Sequence, residues 1–206
     1  MIARRTGAAL LAATILTTAL GLAPGTTRAA SDWQVDGTTQ RLEFTATQAG
    51  AEFVGRFLRF RPLIRFDPAD LADSRFRVEI ETASADTQDG ERDDVLAGPD
   101  FFAAGRHPLA VFETLRIEPK GPAEYVAAGR LTLRGVTRDV TLRFSFRPPA
   151  APGGQARLAG GTTIRRLDFG IGQGEWRDTK WIGDEVEVRF DLGLVQPGVR
   201  RPAASP

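Results

Sequence analysis

Arg75 to Ala83 reads RFRVEIETA, and in it Phe76, Val78 and Ile80 alternate with Arg75, Arg77, Glu79 and Glu81. A period of two sends successive side chains to opposite faces, so this segment is a β-strand with one apolar face. The same pattern continues on both sides. RLEFTAT sets Leu42, Phe44 and Ala46 against Arg41, Glu43, Thr45 and Thr47. AEFVGRFLRF, Ala51 to Phe60, carries Phe53, Phe57 and Phe60, and its Gly55 predicts a bulge or bend. DWQVD, Asp32 to Asp36, reads as a separate short first strand. Pro62 interrupts pairing, so LIRF starts a new strand or an edge segment. Downstream, LAVFETLRIEP, EYVAAGRLTLRG, DVTLRFSFRP, QARLAGGTTIRR and DEVEVRFDLGLV supply further strands.

One stretch breaks the pattern. Asp86 to Ala97 is polar, Asp89 is placed to cap a helix, Glu91 suits its positive end, and Gly98-Pro99 stops it. The expectation is an all-β fold of about eight strands with one short helix, antiparallel because the connections are short. Strands with one apolar face each close or sandwich into a sheet around an apolar interior.

Composition sets the class. The chain has 206 residues, and its first thirty read as a cleaved secretory signal: Arg4 and Arg5, then the apolar run Ala8 to Ala23, then Thr27-Arg28-Ala29 before the cleavage point. The apolar run is shorter than the ~20 residues a spanning helix needs. Residues 31–196 then form one domain, exported to the periplasm, and 197–206 form a fraying tail. Without cysteine there is neither disulfide nor thiolate metal site. Lys and Arg number 27 against 26 Asp and Glu, interspersed rather than clustered, which gives nucleic acid no footprint.

The inventory for catalysis is thin. His107 is the only histidine and lies in the loop GRHPLAVF. The carboxylates Asp93, Asp94, Asp100, Asp168, Asp178, Asp184 and Glu185 show no spacing that selects an acid–base pair. GIGQG follows a strand but opens no helix, so it is no phosphate loop. The reading is a protein without catalytic residues, metal or cofactor. Trp176 and Trp181 flank the polar loop GEWRDTKWIGD, where they either close one barrel end or meet a ligand or partner. Arg165, Arg166 and Asp168 break the alternation in TTIRRLDFGIG, as a structural Arg–Asp pair or as a contact for a polar head group.

Taken together, GPDFFAAGRHPLAVFET (Gly98–Thr114), AAGRLTLRGVTRDVTL (Ala127–Leu142), IRRLDFGIG (Ile164–Gly172), GDEVEVRFDL (Gly183–Leu192) and RFDPADLADSRFRVEIETAS (Arg65–Ser84) resemble the YceI family of exported, lipocalin-like, polyisoprenoid-binding proteins. The resemblance runs from about Trp33 to Leu194. It implies an eight-stranded antiparallel barrel with a helix after the first four or five strands. It also implies a long apolar tunnel for an isoprenoid chain, such as a quinone tail or a polyprenyl lipid. One departure stands out: many members place a histidine just after the first strand, where this chain has Gly37 to Gln40. GAEFVGRF and FGIGQGEWRDT look instead like the branch associated with cytochrome b proteins of the inner membrane.

The expected function is a periplasmic carrier of an isoprenoid lipid or quinone. The alternative is a packed barrel that docks on a membrane cytochrome b, and two copies pairing as a homodimer is a further expectation. Alternation predicts a tunnel lined by Phe44, Phe53, Phe57, Val78, Ile80, Phe112, Leu131, Leu133, Leu142, Phe144, Val188 and Phe190. Arg165, Asp168 and Trp176 are the residues expected at its mouth.

Overall fold

A computed structural model describes residues 31–197. The predicted signal segment and the tail beyond residue 197 lie outside the described residues. The strands are β1 (Ser31–Gln48), β2 (Ala51–Phe57), β3 (Phe60–Phe66), β4 (Arg75–Glu81), β5 (Ala85–Asp86), β6 (Leu109–Gly121), β7 (Glu124–Leu133), β8 (Val136–Arg147), β9 (Ala156–Arg165) and β10 (Glu185–Val195). One α-helix, α1 (Gly90–Ala97), follows β5. The strands pair in the order β10-β9-β8-β7-β6-β4-β3-β1-β2-β5, and β10 also pairs with β1, which closes the sheet into a barrel.

Both β2 and β3 run antiparallel to β1, along its two halves: Ala51–Arg56 against Glu43–Gln48, and Ile64–Phe66 against Ser31–Trp33. They are one stave broken at Leu58-Arg59. There the backbone N–H groups of both residues turn to Ser84, at 3.0 Å to its carbonyl and 3.1 Å to its hydroxyl. The two-residue β5 continues β4's stave by pairing with β2. The result is an eight-staved antiparallel barrel, as expected.

Three local expectations change. DWQVD is not a separate strand: β1 runs through it for 18 residues, and a register slip between Val35 and Gln40 absorbs Gly37. Pro62 lies inside β3 opposite Val78. The β1–β3 pairs extend only from Ser31↔Phe66 to Trp33↔Ile64, so the missing N–H of Pro62 costs no ladder bond to β1. Gly55 makes no bulge. It faces Phe44 across the ladder, and a Cβ there would stand 2.2 Å from the Phe44 ring.

Helix α1 forms as the sequence predicts. Asp89 is its N-cap, accepting from the Arg92 N–H at 3.2 Å, and the Gly98 N–H returns to the Val95 carbonyl. The loop after it turns Phe101 and Phe102 inward, 5% and 7% exposed. Inward side chains sort into two clusters, one at each end of the barrel. The β6–β7 hairpin end is filled. Phe66 is fully buried there, its ring centroid 4.9 Å from Phe146, 5.1 Å from Tyr125, 5.6 Å from Phe144 and 5.9 Å from Phe76. Trp33 joins the plug and donates its indole N–H to the Phe66 carbonyl at 2.9 Å. The other end is roofed by α1, the Phe101–Phe102 loop and the segment from Arg166 to Ile182.

Candidate functional site

Between the aromatic plug and the roof lies a cavity of about 180 Å³. Eleven of the twelve predicted tunnel residues line it: Phe44, Phe53, Phe57, Val78, Ile80, Phe112, Leu131, Leu133, Leu142, Val188 and Phe190. The pleat explains this, because each stave offers every second side chain to the interior. Phe144 is the exception. It faces inward but lies at the filled end, stacked on Tyr125 at 5.3 Å and edge-on to Phe76 at 5.1 Å. At that end of the expected tunnel the protein's own aromatic rings meet one another.

The roof adds Leu96, Phe101, Phe102 and Ile171 to the lining. No period-two pattern announces them, since they come from a helix and two loops. Among the described residues no group of three His, Cys, Asp or Glu is placed to hold a metal ion.

Two grooves border the cavity. The first, about 240 Å³, lies beside α1 and shares Phe53, Leu96, Phe101 and Ile182 with the interior. Trp176 is half-buried here and packs on Phe101 at 5.7 Å. The Arg92 guanidinium covers the Phe53 ring at 4.5 Å and pairs with Asp89 at 3.3 Å. Trp181 is 61% exposed and does not line this groove.

The second groove, about 1060 Å³, lies outside the barrel wall across β1, β8, β9 and β10. Arg165 and Asp168 line it, so the three expected mouth residues do not share one opening. Nor does Arg165 pair with Asp168. Its Nε donates to Asp184 Oδ2 at 2.9 Å while its side chain stays 68% exposed. Alternation accounts for this, because Arg165 follows the buried Ile164 and must point out.

Arg166 is the residue whose role the sequence left open. It is 2% exposed and donates to five carbonyls: Gly183 from Nε, Ile171 and Gly172 from one terminal nitrogen, Trp176 and Ile182 from the other, at 2.7 to 3.3 Å. Burial draws its pKa below the usual arginine value, and nearby Asp184 partly offsets that. One buried guanidinium thus replaces water for a whole irregular loop. Arg134 acts similarly from the β7–β8 turn. It donates to the Gly170 carbonyl and, at 2.5 Å, to the Pro99 carbonyl, tying the two roof segments together.

Relatives place this architecture. A UPF0312 protein of Vibrio parahaemolyticus is 32% identical over 69% of this chain and 78% of its own length. The crystal structure of Burkholderia cenocepacia BcnA superposes with a TM-score of 0.73 at 32% identity, covering 78% of this chain and 99% of that one. A polyisoprenoid binding domain from Saccharophagus degradans shares the fold, with a TM-score of 0.62 at 15% identity over 82% of this chain and 99% of that one. The YceI-like domain model matches residues 33–194, and with that match and these relatives the chain belongs to the YceI-like family.

Proposed function

We propose that this protein binds an isoprenoid lipid, in the form of a quinone or polyprenyl species, and carries it through the periplasm without chemical change. The observation that carries this reading is the roofed cavity, walled by phenylalanine, leucine, isoleucine and valine and bordered by two grooves that reach the surface. The shared fold with a protein described as a polyisoprenoid binding domain supports the class of ligand. Each buried alkyl unit contributes about 0.8 kcal/mol, so a few units inside the barrel support micromolar binding after ordering costs. The test is purification of the mature chain from a native periplasm without detergent, followed by mass spectrometry of the organic extract. A stoichiometric prenyl lipid or quinone is expected. An empty extract from stably folded protein overturns the carrier reading.

A second reading, docking on a membrane cytochrome b, draws on Trp181, a large indole left 61% exposed in the loop that also holds Trp176. Under it, Trp181→Ala abolishes capture of the cytochrome and leaves bound lipid unchanged.

A further inference from the structure

The wall of the barrel is not sealed between β8 and β9. Their ladder runs from Arg147↔Arg157 to Arg143↔Gly161 and, among the described residues, has no further pairs. Yet both strands continue. From Leu142 back to Val136, β8 stays with β7. From Thr162 to Arg165, β9 stays with β10.

The fork is built into the sequence as Gly160-Gly161. A Cβ on Gly160 would stand 2.2 Å from the Arg143 carbonyl oxygen, so there β9 presses on β8. A Cβ on Gly161 would stand 2.5 Å from the Val188 carbonyl oxygen, so one residue later it presses on β10. Above the fork, β9 leaves β8 and follows β10. The turn Arg166–Phe169 lies against β8 and bounds the gap on the far side.

The gap connects two spaces. Val140, Thr162, Ile164 and Phe190 line both the interior cavity and the outer groove. Backbone groups that a continued ladder would consume are left facing the gap. Arg138 stands at the same place. Opposite the cavity residue Leu131, it has inward phase where Val140 and Leu142 are apolar. Arg138 nevertheless lines the outer groove, and among the described residues its side chain donates to the Thr137 carbonyl at 3.1 Å.

Size supplies the last step. A cavity of about 150 Å³ takes up benzene. At about 180 Å³ this interior houses little more than that, so most of a prenyl ligand must extend through an opening. We propose that the ligand enters sideways through the β8–β9 window, tail first, and leaves an oxygen-bearing head group in the outer groove beside Arg138. This rests on the carrier reading above and names the route and the head-group site. The barrel end beside α1 is then roof rather than door.

The chain has no cysteine, so an introduced pair is modified selectively. Thr141 and Thr163 are exposed, line the outer groove, and would face each other had the ladder continued two residues beyond Arg143↔Gly161. Thr141→Cys/Thr163→Cys is joined by a short bismaleimide, or each thiol is capped with N-ethylmaleimide as the control. Uptake of dansyl-labelled farnesol is followed by stopped flow, with melting temperatures checked for both. Bridging is expected to slow uptake at least tenfold relative to the capped protein, and Arg138→Met to speed release severalfold. Equal uptake by bridged and capped protein overturns the route, most clearly if a bulky maleimide on Val95→Cys beside α1 then blocks it. No uptake by capped or unmodified protein overturns the carrier reading and the route with it.

Discussion

The two ends of this barrel are built from the same residue type and do opposite things. At the hairpin end, Phe66 is fully buried and ringed by Phe76, Tyr125, Phe144 and Phe146, all within 5.9 Å between centroids. At the roofed end, Phe44, Phe53 and Phe57 stand around a cavity, with Phe44 5.4 Å from Phe57 and 6.3 Å from Phe53. What differs is the height at which the rings meet. At the plug, rings from β3, β4, β7 and β8 converge at one level and fill the section. Near the roof, rings from β1 and β2 crowd one side, and the wall opposite is aliphatic or open. Stability is therefore invested at one end and space at the other.

The largest expected effect separates those roles directly. Phe66→Ala empties a fully buried site and should cost about 3–5 kcal/mol in urea unfolding. Phe57→Ala enlarges a space already present beside a half-buried ring and should cost about 1–2 kcal/mol. Equal losses would mean that the hollow end is as tightly packed as the plug, and the comparison would break.

Next in size is the roof's bracket. Arg166→Met keeps length and removes five donors from five carbonyls, at a cost of about 2–3 kcal/mol. Hydrogen exchange should accelerate from Ile171 to Gly183 and remain unchanged around Phe66. Uniform acceleration would show that roof and plug unfold as one unit.

These residues also mark where sequence reading reaches and where it stops. Alternation assigns a face, and for eleven inward residues the face was enough to place them on the cavity. It does not assign height along the barrel axis, which is why Phe144 has the right face and the wrong neighbours. Height depends on register, and register depends on pairs such as Phe144↔Gly160 that no single strand encodes. Arg166 and Arg138 were legible in principle. Extending Thr162 and Ile164 by one step of two reaches Arg166, and Val140 and Leu142 share their phase with Arg138. An arginine in an apolar phase is the signal; at Arg166 it shows as a break in the alternation, and at Arg138 it is masked by the polar residues around it. Leu96, Phe101 and Phe102 had no such signal, because a short helix and a loop carry no period of two.

A cavity-filling change tests the hollow end alone. Phe53→Trp adds bulk where the interior meets the α1 groove, and should weaken farnesyl binding about tenfold while stability moves by less than about 1 kcal/mol. Unchanged affinity would place the bound chain elsewhere, as tail-first loading from the β8–β9 side allows.

The smallest effect concerns the join between window and roof, and acid isolates it. Desolvation works to raise the Asp184 carboxyl. The Leu167 N–H at 3.1 Å, Arg165 at 2.9 Å and the nearby Arg166 outweigh it and hold the group below its ordinary pKa. A carboxylate depressed in the folded state adds stability above its unfolded pKa of about 3.9, and that contribution disappears as pH falls through the folded value. Asp184→Asn keeps an acceptor for Leu167 but loses the charge, so its melting temperature should lie about 2–3 °C lower at neutral pH. The gap should stay constant down to about pH 4 and close below it, because the wild-type carboxyl then becomes neutral as well. A gap that persists in strong acid would show that Asp184 holds the turn by shape and hydrogen bonding, and that its charge contributes nothing to the fold.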